Sequence, residues 1–192
     1  GKDYKNIYKE LGFGSLTKIT FFGVICHFIL SRILYKNYIF KTNYFYKIRK
    51  TFLKFNRQID NDSIRHIFTF HHLKKIKFKN VCIIGDGKAN FVLQSLCLFP
   101  NKKIFSVNLT ETLINDYLII KNSNISDKLI KVVEKKSDLN ANYKIFLIPS
   151  SNKQMLKNQK IDLFVNIDSF QEMNKKEVKK YFEIVKYNKS LL

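Results

Sequence analysis

VCIIGDGKAN, residues 81–90, is the stretch of sequence that decides the fold. An apolar strand pattern leads into a turn with small residues at positions 85, 87 and 89, and a helix-like apolar pattern follows. Small residues let the backbone turn sharply and approach a ligand closely, and the first N–H groups of the helix lack partners. The pattern predicts a strand, turn and helix that cradle a nucleotide-type cofactor, but a turn without a ligand has the same short signature.

The sequence from residue 79 onward alternates strand-like apolar runs with helix-like segments, which is typical of a βαβ fold with a parallel sheet. Asn174 followed by Glu177 predicts the capped start of a last helix. Residues 190–192 resemble the opening of another strand, so we expect a doubly wound sheet that this sequence leaves incomplete at its C-terminus. The predicted strands are Val81–Ile84, Ile104–Asn108, Lys144–Ile148 and Leu163–Ile167.

Residues 1–78 have no alternating strand pattern and carry apolar residues at helical spacing. This predicts an α-helical N-terminal region ahead of a Rossmann-like domain at 79–192. The most apolar run, Ile19–Tyr35, is shorter than a membrane span and is interrupted by polar residues, which favours a buried or interfacial helix over a transmembrane one. Asp62 or Ser63 is expected to cap the next helix.

The net charge of +20 at pH 7 suggests nucleic-acid binding, because basic surfaces bind phosphate backbones through counterion release. Nearly all of this charge is lysine, however, with only four arginines, and alanine occurs only twice. This bias is typical of an AT-rich coding sequence, and arginine is the better reader of phosphate and base edges. The composition therefore favours a solvated basic surface over a nucleic-acid interface.

The three cysteines lie inside apolar runs and lack the close spacing of a metal site or a redox pair. They indicate buried thiols in a reducing compartment. The N-terminus does not resemble a secretory signal. We therefore expect a cytoplasmic protein, with peripheral contact to a membrane left open.

Ligands of open α/β sheets bind at the carboxyl ends of the strands, near the point where strand order reverses. The first candidate loop is Gly85–Asn90, and the second begins at Asn108, where an acidic residue would grip ribose hydroxyls. Asn108 keeps an acceptor but not the charge, and a turn residue at a strand end is the alternative. The predicted cofactor contacts are Gly85, Asp86, Gly87, Ala89, Asn108 and Asn166.

The third candidate loop follows the strand in DLFVNIDSFQEM, residues 162–173. Asp168 and Glu172 are candidates for the base that deprotonates a hydroxyl, or for ligands of a divalent cation that lowers its pKa. Ser169 is a candidate contact of the substrate. The alternative is that Asp168 and Ser169 are turn residues and that Glu172 is solvated.

All four histidines fall in the N-terminal region. Arg65 and His66 are the pair of greatest interest, because residues 62–72 directly precede the cofactor domain and are placed to fold over its mouth. We predict that both contact the substrate. The alternative is that the histidine is structural or exposed, as a single histidine on a helix often is.

The order of these motifs resembles that of class I S-adenosylmethionine-dependent methyltransferases. VCIIGDGKAN, IFSVNLTETLINDYLI, FLIPS, and DLFVNIDSFQEM followed by VKKYF resemble more narrowly the sugar O-methyltransferases found with surface-polysaccharide genes. The resemblance covers about residues 63–192, and residues 162–173 are its most specific part. It implies a seven-stranded Rossmann-like sheet, S-adenosylmethionine at Gly85–Ala89 and Asn108, and methyl transfer to a sugar hydroxyl of a cell-surface glycan.

Two residues depart from the family pattern, Ile83 and Asn108, which stand where the family has acidic residues. Each lost carboxylate removes a charge-assisted hydrogen bond of roughly 1.5–3 kcal/mol. One alternative is therefore an inactive Rossmann-like module that binds an anionic polymer or membrane surface through its basic helices. A nicotinamide-dependent enzyme is disfavoured by the missing third glycine. The acceptor sugar, a divalent metal and the oligomeric state stay open.

Overall fold

The structure is a computed structural model that describes residues 21–34, 39–55, 57, 59–73 and 75–192. Five parallel strands form one sheet in the order β3–β4–β2–β1–β5. Helices flank the sheet, which confirms the predicted α/β, Rossmann-like arrangement. The strands are β1 (Asn80–Ile84), β2 (Lys103–Asn108), β3 (Ile130–Val132), β4 (Ile145–Pro149) and β5 (Leu163–Asn166).

Four of these strands correspond to the four predicted ones, with ends that differ by at most one residue. Their residues are buried almost without interruption, as expected for a parallel sheet covered on both faces. β3 was not predicted, because a three-residue strand at the sheet edge is too short to show a period.

Six α-helices lie in the described part of the chain, three of them before β1. Short 3₁₀ helices connect several of the elements, and the longest of them is Ser150–Asn158. The helices are α1 (Phe21–Leu34), α2 (Asn43–Lys54), α3 (Asn61–Leu73), α4 (Asn90–Leu98), α5 (Thr110–Asn122) and α6 (Lys175–Asn188).

Alternate strand residues point into two separate hydrophobic layers. One layer packs side chains of α2, α3, α4 and α5 on the sheet, and Ile83 belongs to it with 1% of its surface exposed. The other layer packs Ser150–Asn158 and α6 on the opposite face. A carboxylate at position 83 would be desolvated in the first layer, so the core explains the isoleucine.

Two helix starts test the predicted caps. Asp60 caps α3, because its Oδ1 accepts the backbone N–H of Ser63 at 2.8 Å. The prediction of Asp62 or Ser63 as the cap was wrong, since both lie inside the first turn of α3. The predicted cap of α6 is confirmed, because Asn174 Oδ1 accepts the backbone N–H of Glu177 at 2.9 Å.

The predicted apolar run at Ile19–Tyr35 contains α1, and residues 1–20 and 35–38 lie outside the described residues. Among the helices described, none combines the length and the apolar character needed to cross a membrane. Near the other end of the chain, Leu191 forms a parallel bridge with Leu163 of β5. The strand-like pattern of residues 190–192 therefore begins to pair along the sheet.

Candidate functional site

The candidate site lies at the carboxyl ends of β1 and β5, which are neighbours in the sheet. The chain passes from β1 to β2 on one side and returns from β4 to β5 on the other. Loops that leave two neighbouring strands in opposite directions open a crevice between them, where ligands bind in doubly wound sheets. The walls of this crevice are the loops at 85–89 and 167–174.

Gly85, Gly87 and Ala89 have φ angles of 78°, 71° and 52°, in the left-handed region that favours glycine. A methyl group added to Gly85 would overlap the side chain of Ser169 from the facing loop. A methyl group added to Gly87 would meet no atom within 4 Å. The free space for a ligand beside these glycines is therefore at Gly87.

Asp86 binds the start of the next helix. Its two carboxylate oxygens accept the backbone N–H groups of Phe91 at 2.8 Å and Val92 at 3.0 Å. These donors at the N-terminus of α4 are the groups that would otherwise bind an anionic ligand. Asp86 was predicted to contact the cofactor, and the structure places its negative charge at this helix end.

A second carboxylate reaches the loop at 85–89, the Gly-rich loop, from α5. Asp116 is fully buried and accepts the backbone N–H of Ala89 at 2.9 Å and an amide N–H of Asn108 at 3.1 Å. The side chain of Asn108 thus donates to Asp116, which brings a carboxylate from α5 to the end of β2. Asp116 was not among the residues predicted from the sequence. The available signal was an acid at helical spacing between the buried Leu113 and Ile120.

The pKa values of the carboxyl groups of Asp86 and Asp116 are both raised. Burial raises the pKa of Asp86 above its ordinary value. Burial, and second the charge of Asp86, raise the pKa of Asp116 to about 7. The charge of Arg57 opposes both shifts and only partly offsets them. Carboxylates whose pKa values are raised in this way are typical of functional sites.

His66 of α3 is buried beside this pair, with its ring centroid 5.9 Å from that of Phe91. Burial lowers its pKa, although the charges of nearby carboxylates, Asp86 first, oppose the change. The Nδ1 atom of His66 has no hydrogen-bond partner among the described residues. A neutral imidazole with an unsatisfied nitrogen thus lies near Asp86 of the Gly-rich loop.

Residues 62–72 were predicted to fold over the mouth of the crevice, and Arg65 of α3 forms an ion pair with Asp168. Asp168 directly precedes the 3₁₀ helix Ser169–Glu172 and has a φ of 70°. The pair joins α3 to the loop after β5. Glu172, the other candidate base, is exposed at the end of that 3₁₀ helix.

Asn166 and Ser169 fasten the same loop to the end of β1. The amide N–H of Asn166 and the hydroxyl of Ser169 both donate to the backbone carbonyl of Ile84, at 3.0 and 2.8 Å. In this arrangement the two side chains form the floor of the crevice beside Gly85.

Arg57 and Asp60, which lie between α2 and α3, hold the outer side of the Gly-rich loop, and these contacts were not predicted from the sequence. Arg57 donates to the carbonyl of Lys88 at 3.2 Å and to Oδ1 of Asn90 at 2.8 Å. Lys88 in turn pairs with Asp62 at 2.9 Å and with Asp60 at 3.6 Å. Burial alone would raise the pKa of Asp60, but its bonds from Ser63 and the charges of Lys88 and Arg57 lower it.

No group of three or more metal-binding side chains is arranged to hold an ion in the part of the chain that the structure describes. Comparison with protein-family models, curated proteins and solved structures gives no match to this chain. The fold defines an α/β protein with a Rossmann-like, all-parallel sheet. Its function is therefore inferred from the chemistry of the crevice.

Proposed function

We propose that the protein is an S-adenosylmethionine-dependent O-methyltransferase that acts on a sugar hydroxyl of a cell-surface glycan or its precursor. The main support for this cofactor is a pair of carboxylates at the Gly-rich loop, Asp86 within the loop and Asp116 from α5. S-adenosylmethionine contains a sulfonium and an ammonium group, which negative charge in a desolvated site attracts. A bound cation would favour the ionised forms of Asp86 and Asp116, whose pKa values are raised without it. The residues present fit this cofactor in that respect, and Gly87 leaves room for it.

The same carboxylates argue against a nicotinamide dinucleotide. A pyrophosphate binds at the helix N-terminus after the first strand, through free N–H groups. Here the N–H groups of Phe91 and Val92 are bonded to Asp86, so a pyrophosphate would compete with a carboxylate for its donors. The carboxylates also weaken the case for an inactive Rossmann-like module, because Asp116 supplies an acidic group near Asn108.

A second candidate, binding to an anionic membrane surface, is favoured by one observation. Helix α1 exposes Phe22, Ile29 and Ile33 on a chain with a net charge of +20. Apolar side chains next to basic ones are typical of interfacial helices. This binding is compatible with methyl transfer and is an alternative only if the crevice binds no cofactor.

When bound, S-adenosylmethionine supplies an electrophilic methyl group, so the protein has to orient the acceptor and remove its proton. Asp168 is the better placed of the two candidate bases, because Arg65 holds it across the mouth of the crevice. Arg65 and Ser169 are the proposed contacts of the sugar. His66, which was also predicted to contact the substrate, is 5% exposed and packs against Phe91. The sugar acceptor itself is supported by the resemblance of residues 162–173.

Calorimetry with the full chain tests the cofactor. We expect S-adenosylmethionine to bind, nicotinamide adenine dinucleotide not to bind, and Asp116→Asn to weaken S-adenosylmethionine binding about tenfold, or about 1.4 kcal/mol. S-adenosylhomocysteine has no sulfonium charge, so the same substitution should affect it less. Asp127→Asn removes an exposed carboxylate and is the matched control. Absence of binding by both sulfur compounds would exclude the proposal.

Methyl transfer from labelled S-adenosylmethionine to a panel of sugars and sugar nucleotides tests the base. Asp168→Asn should lower kcat by about a hundredfold or more, the effect of losing a general base. Glu172→Gln is the control and should change kcat by less than about threefold, because it leaves the ion pair between Arg65 and Asp168 in place. Equal losses in the two variants would contradict the assignment to Asp168.

A further inference from the structure

A second cavity lies outside the crevice, among α1, the 3₁₀ helix Ile39–Lys41 and α2. It is a groove of about 570 Å³, within the size range of sites for small molecules. Two aliphatic side chains contribute to its lining. The other lining residues are Arg32, Arg49, Arg57, Phe40, Phe45 and Tyr46.

The arginines of this groove depart from the composition of the chain. Only four of the 35 basic residues are arginines, and three of those four line this one groove. A coding bias that supplies lysine at tolerant surface positions does not account for such a cluster. A planar guanidinium binds phosphate oxygens in pairs, whereas lysine binds them as a point charge.

The charged side chains that line the groove are all positive. None of its lining residues in the described part of the chain is acidic. Helix α2, with the sequence NYFYKIRKTFLK, carries three lysines and Arg49 and no acidic residue. Basic side chains around a concave surface concentrate anions there.

The aromatic side chains offer surfaces for a planar ring. The ring of Phe45 lies 5.2 Å from that of Phe40 and 6.4 Å from that of Tyr46, in edge contacts. Tyr46 is 61% exposed, which leaves much of its ring open to a ligand. Arg32 lies over Phe40, with its guanidinium carbon 5.3 Å from the ring centroid.

We propose that this groove is a second binding site, for a phosphorylated small molecule with a planar base, of the nucleotide class. The phosphates contact Arg32 and Arg49, and the base packs on Tyr46. Arg57 forms the wall shared with the Gly-rich loop, because it also bonds to Lys88 and Asn90. The site goes beyond the proposed methyl transfer and does not depend on it.

Calorimetry on the full chain with uridine diphosphate, pyrophosphate and uridine tests this site. Uracil is chosen because it differs from the adenine of the proposed cofactor. We expect uridine diphosphate to bind tightest and uridine weakest, and Arg49→Gln to lower the affinity for uridine diphosphate at least tenfold. Arg49→Lys should restore only part of this affinity, because lysine keeps the positive charge but lacks the paired N–H donors of the guanidinium group.

The control variant is Lys136→Gln, which removes one positive charge from an exposed residue of the 3₁₀ helix Lys136–Asn140. It should leave binding of uridine diphosphate unchanged. Absence of binding at millimolar concentration would overturn the proposal. So would equal losses in Arg49→Gln and Lys136→Gln, or displacement of uridine diphosphate by S-adenosylhomocysteine. If the unfolding midpoint of Arg49→Gln is unchanged, a weaker affinity for uridine diphosphate reflects lost contacts and not lost structure. If the groove binds uridine diphosphate and the crevice does not bind S-adenosylmethionine, only the methyltransferase proposal is refuted.

Discussion

Asp116→Asn should raise the free energy of unfolding at pH 8 by about 2–4 kcal/mol and have a much smaller effect at pH 5. In the folded protein, burial and the charge of Asp86 raise the pKa of Asp116 to about 7, from an ordinary value of 3.8. The folded state therefore retains a proton that the unfolded state loses. Stability from this group is complete below pH 4 and is lost as the pH rises through 7. Asparagine is neutral throughout and still accepts the N–H of Ala89.

Urea unfolding followed by circular dichroism at pH 5, 6, 7 and 8 measures this effect. The difference between the variant and the wild type should grow with pH over this interval. Asp127→Asn is the control, because this exposed carboxylate pairs with Lys121 at the surface. A difference that stays constant with pH would mean that Asp116 is not the group that titrates.

The result also bears on the role of the site. A chain that keeps a destabilising carboxylate in its core has a functional reason to do so more often than a structural one. If Asp116→Asn stabilises the fold and weakens binding of S-adenosylmethionine, the buried charge serves the cofactor. If it stabilises the fold and leaves binding intact, Asp116 only orders Ala89 and Asn108.

The sheet was predictable because its long strands leave a clear signal. β1, β2, β4 and β5 are apolar runs bounded by turn residues, and a parallel sheet buries such runs on both faces. The cap of α3 was not predictable, because three consecutive residues from Asp60 to Asp62 are all good caps. Only the packing of α3 against α4 selects Asp60, whose carboxylate also accepts a weak bond from Asn90.

The loops of the candidate site that follow strand ends could be predicted from the sequence, but the side chains that reach these loops from distant elements could not. The loop after β5 was identified from a run of polar residues, and the pairing of Arg65 with Asp168 joins two predicted site residues. Asp116 and Arg57 reach the Gly-rich loop from other elements. Contacts between residues that are distant in sequence have no local pattern that could reveal them.

The sequence of the Gly-rich turn also does not show which of its two glycines is required for packing, whereas the structure does. Both have positive φ, so an alanine at either position is strained by about 1–2 kcal/mol. Only at Gly85 would the added methyl group overlap the side chain of Ser169. Overlap in a packed region adds about 1–3 kcal/mol. Gly85→Ala should therefore lower the free energy of unfolding by about 2–5 kcal/mol, and Gly87→Ala by about 1–2 kcal/mol.

A double-mutant cycle with Ser169→Gly tests the cause of this difference, with urea unfolding of all four combinations. Removing the Ser169 side chain removes the atoms that the new methyl group would meet, so Gly85→Ala should cost less in that background. The strain of positive φ does not depend on Ser169, so the remaining effect should approach that of Gly87→Ala. A cycle with no coupling between positions 85 and 169 would mean that the loop after β5 moves away freely. Strong coupling would mean that the floor of the crevice is rigid and that Gly85 is required for packing, which leaves Gly87 as the glycine that faces the proposed cofactor.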